Sequence, residues 1–387
     1  MAPRSNVLAV DGTEVKILFS CTGIGILNRG IESFFREAFD ALTAAPGPSA
    51  RLLKGAGQNS ENEFTVPCFS RTGVVAKWLG RLLRRNAYVA EQLSSFPFVL
   101  RHIRRFRPEV VFYSDANLGF QLHRWRRCLG VPFRLLFSNG GPCHPPFDRT
   151  DFVHQVTPIH FEEALEAGES PQRHYMIPYG IRAKEQPCAN LENKRVVRAQ
   201  LGLPMERPVV LSVGWISREH KRMDYVIEEM ARLPEPRPFL QILGAMDAGS
   251  KEIVELGYRL LGCDGFSARS VTYEQVFEYY KAADCFVLAS LKEGFGRVFL
   301  EAMMHGLQVI AHDHPVMRYV LGGSGALGDL RAGGALAGLL PVALDQTRTD
   351  PGLPYRLWRS IHDRFDWERL IPDYLEMFRH CASRPAR

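Results

Sequence analysis

Residues 285–311 constrain the fold most strongly, because an apolar run, a glycine-rich loop, a helical pattern and a second apolar run follow one another. Residues 285–289 and 309–311 predict two buried strands, and residues 297–305 predict a helix between them. Gly306 follows at the position where glycine typically ends a helix. The stretch therefore predicts a helix that starts at the carboxyl end of a parallel strand.

The loop before this helix is a candidate anion site. Free backbone N–H groups and the helix dipole favour a phosphate there, and open α/β sheets bind ligands at this edge. Glu293 and Glu301 flank the loop in an E-x7-E spacing, and Glu301 can lean back toward the same ligand. An isolated E-x7-E pattern recurs by chance. Taken alone, it would indicate that Glu293 interacts with the helix dipole and that Glu301 is a solvent-exposed helix residue.

Strands and helices alternate through the rest of the chain. Apolar runs at 15–20, 110–113, 133–137, 209–213 and 239–243 predict further buried strands. The fold class is therefore α/β, with parallel doubly wound sheets. The 387 residues suit two domains, and the polar stretch 182–194 is the predicted linker. Eight dispersed cysteines without metal-ligand spacing, and no apolar run that could span a bilayer, predict a reduced, cytoplasmic protein.

Positive charge is concentrated in residues 74–134, where twelve Lys and Arg stand against three Asp and Glu, a net charge of +9. A predicted helix at its start places basic residues opposite apolar ones. Such a helix can lie on an anionic membrane or pack its apolar face into a core, and we favour the core. We expect no nucleic-acid binding, because stacking aromatics are not interleaved with the basic residues. The apolar set is Val74, Val75, Trp78, Leu79, Leu82 and Leu83; the basic set is Lys77, Arg81, Arg84 and Arg85.

The block from residue 279 to 306 resembles the donor site of retaining GT-B glycosyltransferases, in particular the glycogen-synthase-like family four (glycosyl transferases group 1). The matching motifs are Tyr-Tyr-Lys-Ala-Ala-Asp at 279–284, Glu-Gly-Phe-Gly at 293–296 and Glu-Ala at 301–302. The resemblance implies two Rossmann-like domains facing across a cleft. We assign residues 1–185 to an acceptor domain and residues 186–365 to a donor domain. Residues 366–387 are assigned to a C-terminal helix that crosses back to the first domain.

The resemblance further implies transfer of a hexose from a nucleoside diphosphate sugar to an acceptor hydroxyl, with retention and without a metal or other cofactor. The acceptor class stays open between glycan, lipid and small molecule, and a peripheral membrane contact also stays open. By resemblance, Glu293 holds the donor sugar, Glu301 binds the ribose and Lys221 stabilises the diphosphate. The backbone of the first glycine-rich loop and of the donor loop faces the diphosphate; these residues are Gly30, Gly294, Phe295, Gly296 and Arg297.

Several positions depart from the family pattern. Trp215 stands where the family has a diphosphate-binding Arg, so Arg218 or Arg222 is the candidate replacement. A His that touches the donor sugar has its counterpart in Asn139 or His144. The loop expected to line the base contains the candidates Ser267 and Val271.

Alternatives remain open at this point. The same cleft would serve a sugar-nucleotide epimerase or a phosphorylase, and the missing Arg would suit a degenerate protein that binds glycan or nucleotide without turnover. The glycines of residues 23–30 do not fit a nicotinamide fingerprint. We interpret His312-Asp313-His314 as a cleft loop rather than a metal site.

Overall fold

The computed structural model describes residues 14–27, 29–69, 73–82, 84, 86–141, 143–182 and 191–385. Within these ranges the chain forms two parallel β-sheets flanked by helices. The predicted linker falls largely on residues 183–190, which lie outside the described residues, as do Leu83 and Arg85.

The first sheet has the strand order β3-β2-β1-β4-β5-β6-β7. The order reverses between β1 and β4, and such a reversal opens a crevice at the carboxyl ends of the two strands. Its strands are β1 Lys16–Cys21, β2 Ser49–Lys54, β3 Glu63–Thr65, β4 Val110–Tyr113, β5 Arg134–Asn139, β6 Phe152–Gln155 and β7 His174–Met176. Its helices are α1 Gly30–Ala44, α2 Val74–Leu82, α3 Ala87–Phe106, α4 Ala116–Trp125 and α5 Pro158–Glu166, with short 3-10 helices at Arg126–Cys128 and Pro171–Arg173.

The second sheet has the order β10-β9-β8-β11-β12-β13, and its reversal lies between β8 and β11. The strands are β8 Val209–Val213, β9 Phe239–Leu243, β10 Phe266–Arg269, β11 Cys285–Leu288, β12 Gln308–His312 and β13 Ala326–Gly328. The helices are α6 Leu191–Leu201, α7 Met223–Ala231, α8 Ser250–Leu261, α9 Tyr273–Ala282, α10 Arg297–Met304, α11 Pro315–Leu321, α12 Ala335–Thr349, α13 Leu353–Phe365 and α14 Trp367–Ser383.

The chain passes between the two sheets in two segments that run side by side. Ile181 and Asp366 form an isolated parallel bridge, and the Ile181 amide donates to the carbonyl of Phe365 at 2.8 Å. Helix α14 then packs against α1, β4 and β5 of the first domain. Its Phe378 meets Phe112 edge to face, with 5.4 Å between the ring centroids. The C-terminal helix therefore adds its apolar face to the core of the first domain.

Two expectations from the sequence are wrong. The segment with Ser267 and Val271, expected to be a loop that lines the base, contains the strand β10. The apolar residues of α2, expected in the core, point to solvent: Trp78 is 61% and Leu82 65% exposed. The reason is that α2 packs on α3 through small residues, since its buried positions are Ala76 and Gly80.

Candidate functional site

The loop that ends at α10 carries an ion pair at its entrance. The Lys221 Nζ lies 2.5 Å from the Glu293 Oε1, and the two side chains keep 22% and 12% of their surface exposed. Lys221 reaches this place from the loop between β8 and α7, and Glu293 follows β11. Because β8 and β11 are the strands at the reversal of the second sheet, the pair lies where a ligand crevice is expected.

Glu301 is buried within the first turns of α10, and two tyrosines hold its carboxylate. The Tyr273 hydroxyl donates to Oε1 and the Tyr280 hydroxyl to Oε2, each at 3.1 Å. Burial raises the pKa of the Glu301 carboxyl, and Arg297 and the two hydroxyls offset this only in part. Each carboxylate oxygen has a second lone pair, so Glu301 can still accept hydrogen bonds from a ligand.

Arg297, the first residue of α10, connects the two domains. Its guanidinium donates to the Gly180 carbonyl and to the Glu37 Oε1 of α1, both at 2.6 Å. Glu37 also accepts from the Trp367 indole N–H at 3.2 Å. Burial lowers the pKa of Arg297, but Glu37 opposes this and the net shift is upward, so the cation is retained. The side chain of Arg297 is therefore committed to the joint between the domains, and its backbone N–H remains at the helix start.

Gly30 brings the first domain to the same point. A Cβ built on Gly30, the first residue of α1, would lie 3.6 Å from the Arg297 Cδ. The N-termini of α1 and α10 therefore converge from opposite sides of the cleft. Two converging helix N-termini strengthen the preference for an anion beyond that of either alone.

The donor-loop side chains between the two acids point away from solvent. The Phe295 ring is buried and lies edge to face with Tyr179 at 5.3 Å and with Phe365 at 5.8 Å. Gly296 has a φ of +82° at the start of α10, a conformation that favours glycine. Gly294 precedes this turn. What the loop offers a ligand is therefore its backbone.

Two of the candidate cations are engaged elsewhere. Arg222 donates to the Leu330 carbonyl at 2.6 Å and its guanidinium lies 4.2 Å from the Tyr225 ring centroid. Arg218 is half exposed and pairs with Asp224 at 3.2 Å. Trp215, at the expected Arg position, is exposed. Lys221 is thus the candidate cation that the structure places against Glu293.

The first-domain candidates differ in what their side chains can do. Asn139 is buried; its amide nitrogen donates to Gln155 at 2.9 Å and its oxygen accepts from the Cys143 amide at 2.7 Å. The Asn139 side chain therefore stabilises the loop that follows β5. His144 is mostly exposed, and its Nδ1 lies 2.5 Å from the Glu163 Oε1 on α5. Of the two, His144 is the one whose side chain a ligand could reach.

The base-side candidates lie on and after β10. The Ser267 carbonyl accepts from the Gln241 amide at 3.2 Å, and Val271 is partly buried against the second-domain core. Tyr273 lies two residues after Val271, and its hydroxyl donates to the Glu301 carboxylate. The two predicted parts of the donor site, the base loop and Glu301, are thus connected through a residue that the sequence reasoning had assigned no role.

His312-Asp313-His314 is a loop with its polar groups already engaged. The His312 Nδ1 accepts from the Leu330 amide at 3.2 Å, and His314 accepts from the Val316 amide at 3.3 Å as a helix cap. Asp313 pairs with Arg318 at 2.5 Å. In the described part of the chain, no three His, Cys, Asp or Glu side chains come together as a potential metal site.

Sequence reasoning missed Tyr273, Tyr280 and Glu37. Tyr280 stood inside the matching block, so its place one helix before Glu301 could have suggested a contact. Glu37 had no such signal, because it is 260 positions from Arg297 in the chain.

Comparison with known structures supports the fold. Sucrose-phosphate synthase from Thermosynechococcus elongatus superimposes with a TM-score of 0.74 at 20% identity, covering 95% of this chain and 98% of that one. Anabaena HepE, in complex with UDP and glucose, gives 0.72 at 16% identity, covering 95% and 100%. At these identities the likeness establishes the fold alone.

Sequence comparison gives the family. Residues 193–326 match the family described as glycosyl transferases group 1. The sulfoquinovosyl transferase of Arabidopsis thaliana is 25% identical over 57% of this chain and 45% of its own length. The D-inositol 3-phosphate glycosyltransferase of Streptomyces scabiei is 30% identical over 57% and 53%. The chain spans about half the length of the first curated relatives it matches. The resemblance in the donor block is confirmed: the chain has the GT-B fold, and its residues 193–326 match the family model of glycosyl transferases group 1.

Proposed function

We propose that this protein is a retaining glycosyltransferase that moves a hexose from a nucleoside diphosphate sugar to an acceptor hydroxyl without a metal. The observation that carries the proposal is the convergence of the α1 and α10 N-termini beside the Lys221–Glu293 pair. Two helix dipoles and one cation supply the positive potential that a diphosphate leaving group needs. The same elements supply it without a divalent ion.

Each donor part has a partner in this arrangement. The diphosphate binds at Gly30 and at the backbone of residues 294–297. Lys221 gives up its ion pair with Glu293 and binds a phosphate oxygen instead. The ribose hydroxyls donate to the free lone pairs of Glu301. Glu293, released from Lys221, accepts hydrogen bonds from the donor sugar and balances its developing positive charge.

The proposed chemistry is the one that the family resemblance implies. The bond between the sugar C1 and the phosphate oxygen breaks, the acceptor oxygen forms its bond to C1 on the same face, and the departing phosphate oxygen takes the acceptor's proton. Same-face attack explains retention without a nucleophile opposite the donor. It is the mechanism that the family resemblance implies. The HepE structure contains UDP-glucose, and the structure of a starch synthase from Arabidopsis thaliana contains ADP. UDP-sugars and ADP-sugars are therefore the first donors to test.

A screen of UDP-, GDP-, ADP- and dTDP-sugars tests the proposal. Thermal shift and slow donor hydrolysis are measured for the wild type, for Glu301→Ala and for Lys251→Ala, whose side chain is exposed on α8. We expect one nucleotide to stabilise the wild type and the Lys251 control, and hydrolysis to be lost in Glu301→Ala. The released sugar should keep its anomeric configuration by NMR, and EDTA should leave the rate unchanged.

A non-catalytic donor-binding protein is the second candidate, because neither Arg218 nor Arg222 compensates for Trp215. Binding of one nucleotide sugar with no hydrolysis and no transfer to any acceptor would favour it. Binding of none of the four would refute the donor site itself.

A further inference from the structure

Helix α2 turns its large apolar side chains outward. Val74, Val75, Trp78 and Leu82 are 83%, 52%, 61% and 65% exposed. The buried positions of α2, which packs on α3, are the small residues Ala76 and Gly80, and Leu79 is partly buried. Exposed apolar groups clustered in this way mark an interaction surface rather than a core.

The apolar surface continues onto α3. The Phe69 amide donates to the Ser94 Oγ at 2.9 Å, which brings the segment before α2 onto that helix. Seven of the seventeen large apolar residues that are exposed in the described part of the chain fall between positions 69 and 98. We call the exposed surface of α2, α3 and the preceding Phe69 the α2–α3 face; its exposed apolar residues are Phe69, Val74, Val75, Trp78, Leu82, Leu93 and Phe98, of which the four on α2 form one stripe.

The two helices also carry exposed positive charge. The single acid between positions 74 and 106 is Glu91, and it is fully buried. Burial lowers the pKa of His102, and the positive charges of Arg51, Arg101 and Arg105 lower it further. The exposed basic residues of the face are Lys77, Arg81, Arg84, Arg101, Arg104 and Arg105.

We propose that the α2–α3 face docks the first domain onto the surface of a lipid bilayer that contains anionic lipids. Trp78, Leu82 and the two valines enter the boundary between headgroups and acyl chains, and the basic residues bind lipid phosphates. A nucleic acid or an acidic protein would satisfy the charge, but a phosphate backbone gains nothing from exposed valine and leucine. No described helix is long and apolar enough to cross a bilayer, so docking is at the surface.

The docked face is close to the crevice of the first sheet. Only residues 83–86 separate α2 from α3. In the first turns of α3, the Tyr88 hydroxyl donates to Asp115, and Glu91 accepts from Thr22 at 3.2 Å. These contacts are at the carboxyl ends of β1 and β4, where the sheet order reverses. Docking therefore brings that edge near the lipid headgroups, whether or not the protein transfers a sugar.

Vesicle sedimentation of the full chain tests the proposal. The vesicles are phosphatidylcholine alone or with about one third phosphatidylglycerol, at low and high salt. The variants are Lys77→Glu/Arg81→Glu and Val75→Ser/Trp78→Ser. The matched control, Lys251→Glu/Arg348→Glu, makes the same charge change at side chains that are 81% and 80% exposed on the second domain.

We expect the wild type and the control to sediment with the anionic vesicles, more weakly as salt increases. Each α2 variant should lose at least about tenfold in vesicle affinity, and neutral vesicles should bind little. Equal binding by control and α2 variants would overturn the proposal. Failure of the wild type to bind anionic vesicles at low salt would also overturn it. Binding of a single-stranded RNA probe without binding of vesicles would have the same consequence. An unchanged thermal unfolding temperature shows that the variants fold.

Discussion

Two ion pairs flank the donor loop, and they differ mainly in the burial of the cation. Lys221 and Glu293 both belong to the second domain, and 22% and 12% of their side-chain surfaces are exposed. Arg297 and Glu37 come from different domains, and their side chains are 3% and 18% exposed. One short loop therefore carries both a candidate ligand site and the joint that holds the two domains together.

The difference follows from how completely each pair is satisfied. Arg297 also donates to the Gly180 carbonyl and Glu37 also accepts from Trp367, so both charges have further partners. A buried charge such as that of Arg297 needs such partners, because removing a charge from water is costly. Lys221 has no comparable network in the described structure, and its access to solvent lets a phosphate compete for it. The comparison predicts that one pair controls stability and the other controls donor chemistry.

The largest effect is expected at the Arg297–Glu37 pair. Arg297→Ala leaves Glu37 without its main partner and should reduce the free energy of unfolding by about 3–5 kcal/mol. Urea denaturation measures the loss. The double variant Arg297→Met/Glu37→Leu removes both charges and should recover part of it, because the Gly180 carbonyl and the Trp367 indole N–H stay without these partners. A loss below about 1 kcal/mol in the single variant would show that this pair does not hold the joint.

Lys221→Ala should act on turnover rather than on folding. Loss of one preorganised charge at a developing anion typically costs a factor of about 10²–10³ in rate. Donor hydrolysis should fall by this factor, whereas the free energy of unfolding should change by less than about 1 kcal/mol. Lys251→Ala is the control at an exposed Lys of the same domain. Equal rates of donor hydrolysis in the two variants would show that Lys221 does not take part in the reaction.

The smallest expected effect is a pH dependence of donor affinity. Ionised Glu301 accepts the ribose hydroxyls, and protonation converts one acceptor oxygen into a donor. Because burial raises the pKa of Glu301, affinity should fall as pH decreases through that raised value, above the ordinary Glu value of about 4.3. Calorimetric titration of the nucleotide against pH measures the midpoint.

Two variants identify the group responsible. Tyr280→Phe removes a hydrogen bond that stabilises the carboxylate, so it should move the midpoint to higher pH. Glu301→Gln should weaken binding about tenfold at neutral pH and abolish this midpoint. An unchanged midpoint in Glu301→Gln would assign the pH dependence to another group.

The donor block was predictable because its parts are close in sequence. The strand at 285–288, the turn at Gly296 and the helix from Arg297 follow from apolar pattern and glycine position, and the structure has them within a residue or two. Gly306 has a φ of +75° and follows His305, the C-cap of the helix, as a terminating glycine should. Lys221 was found only through the family resemblance, since nothing local indicates that it reaches Glu293.

The side-chain duties of the first domain were less predictable. The helical pattern of residues 74–82 is correct, but the same amphipathic pattern fits a buried face and an exposed one equally well. The deciding fact was which residues of α2 are buried, and those are Ala76 and Gly80. Asn139 likewise reads as a cleft residue in sequence, whereas the structure satisfies its amide with Gln155 and Cys143.

The sequence by itself determined the α/β class, most of the central strands and the helix start that favours an anion, because backbone conformation and strand burial depend on neighbours a few residues apart. Only the tertiary structure decided that Arg297 joins the domains through Glu37, that Tyr273 and Tyr280 hold Glu301, and that α2 exposes its apolar face. Those outcomes depend on groups far apart in the chain. Their burial and hydrogen bonding exist only once the two sheets and the crossing helix α14 have packed together.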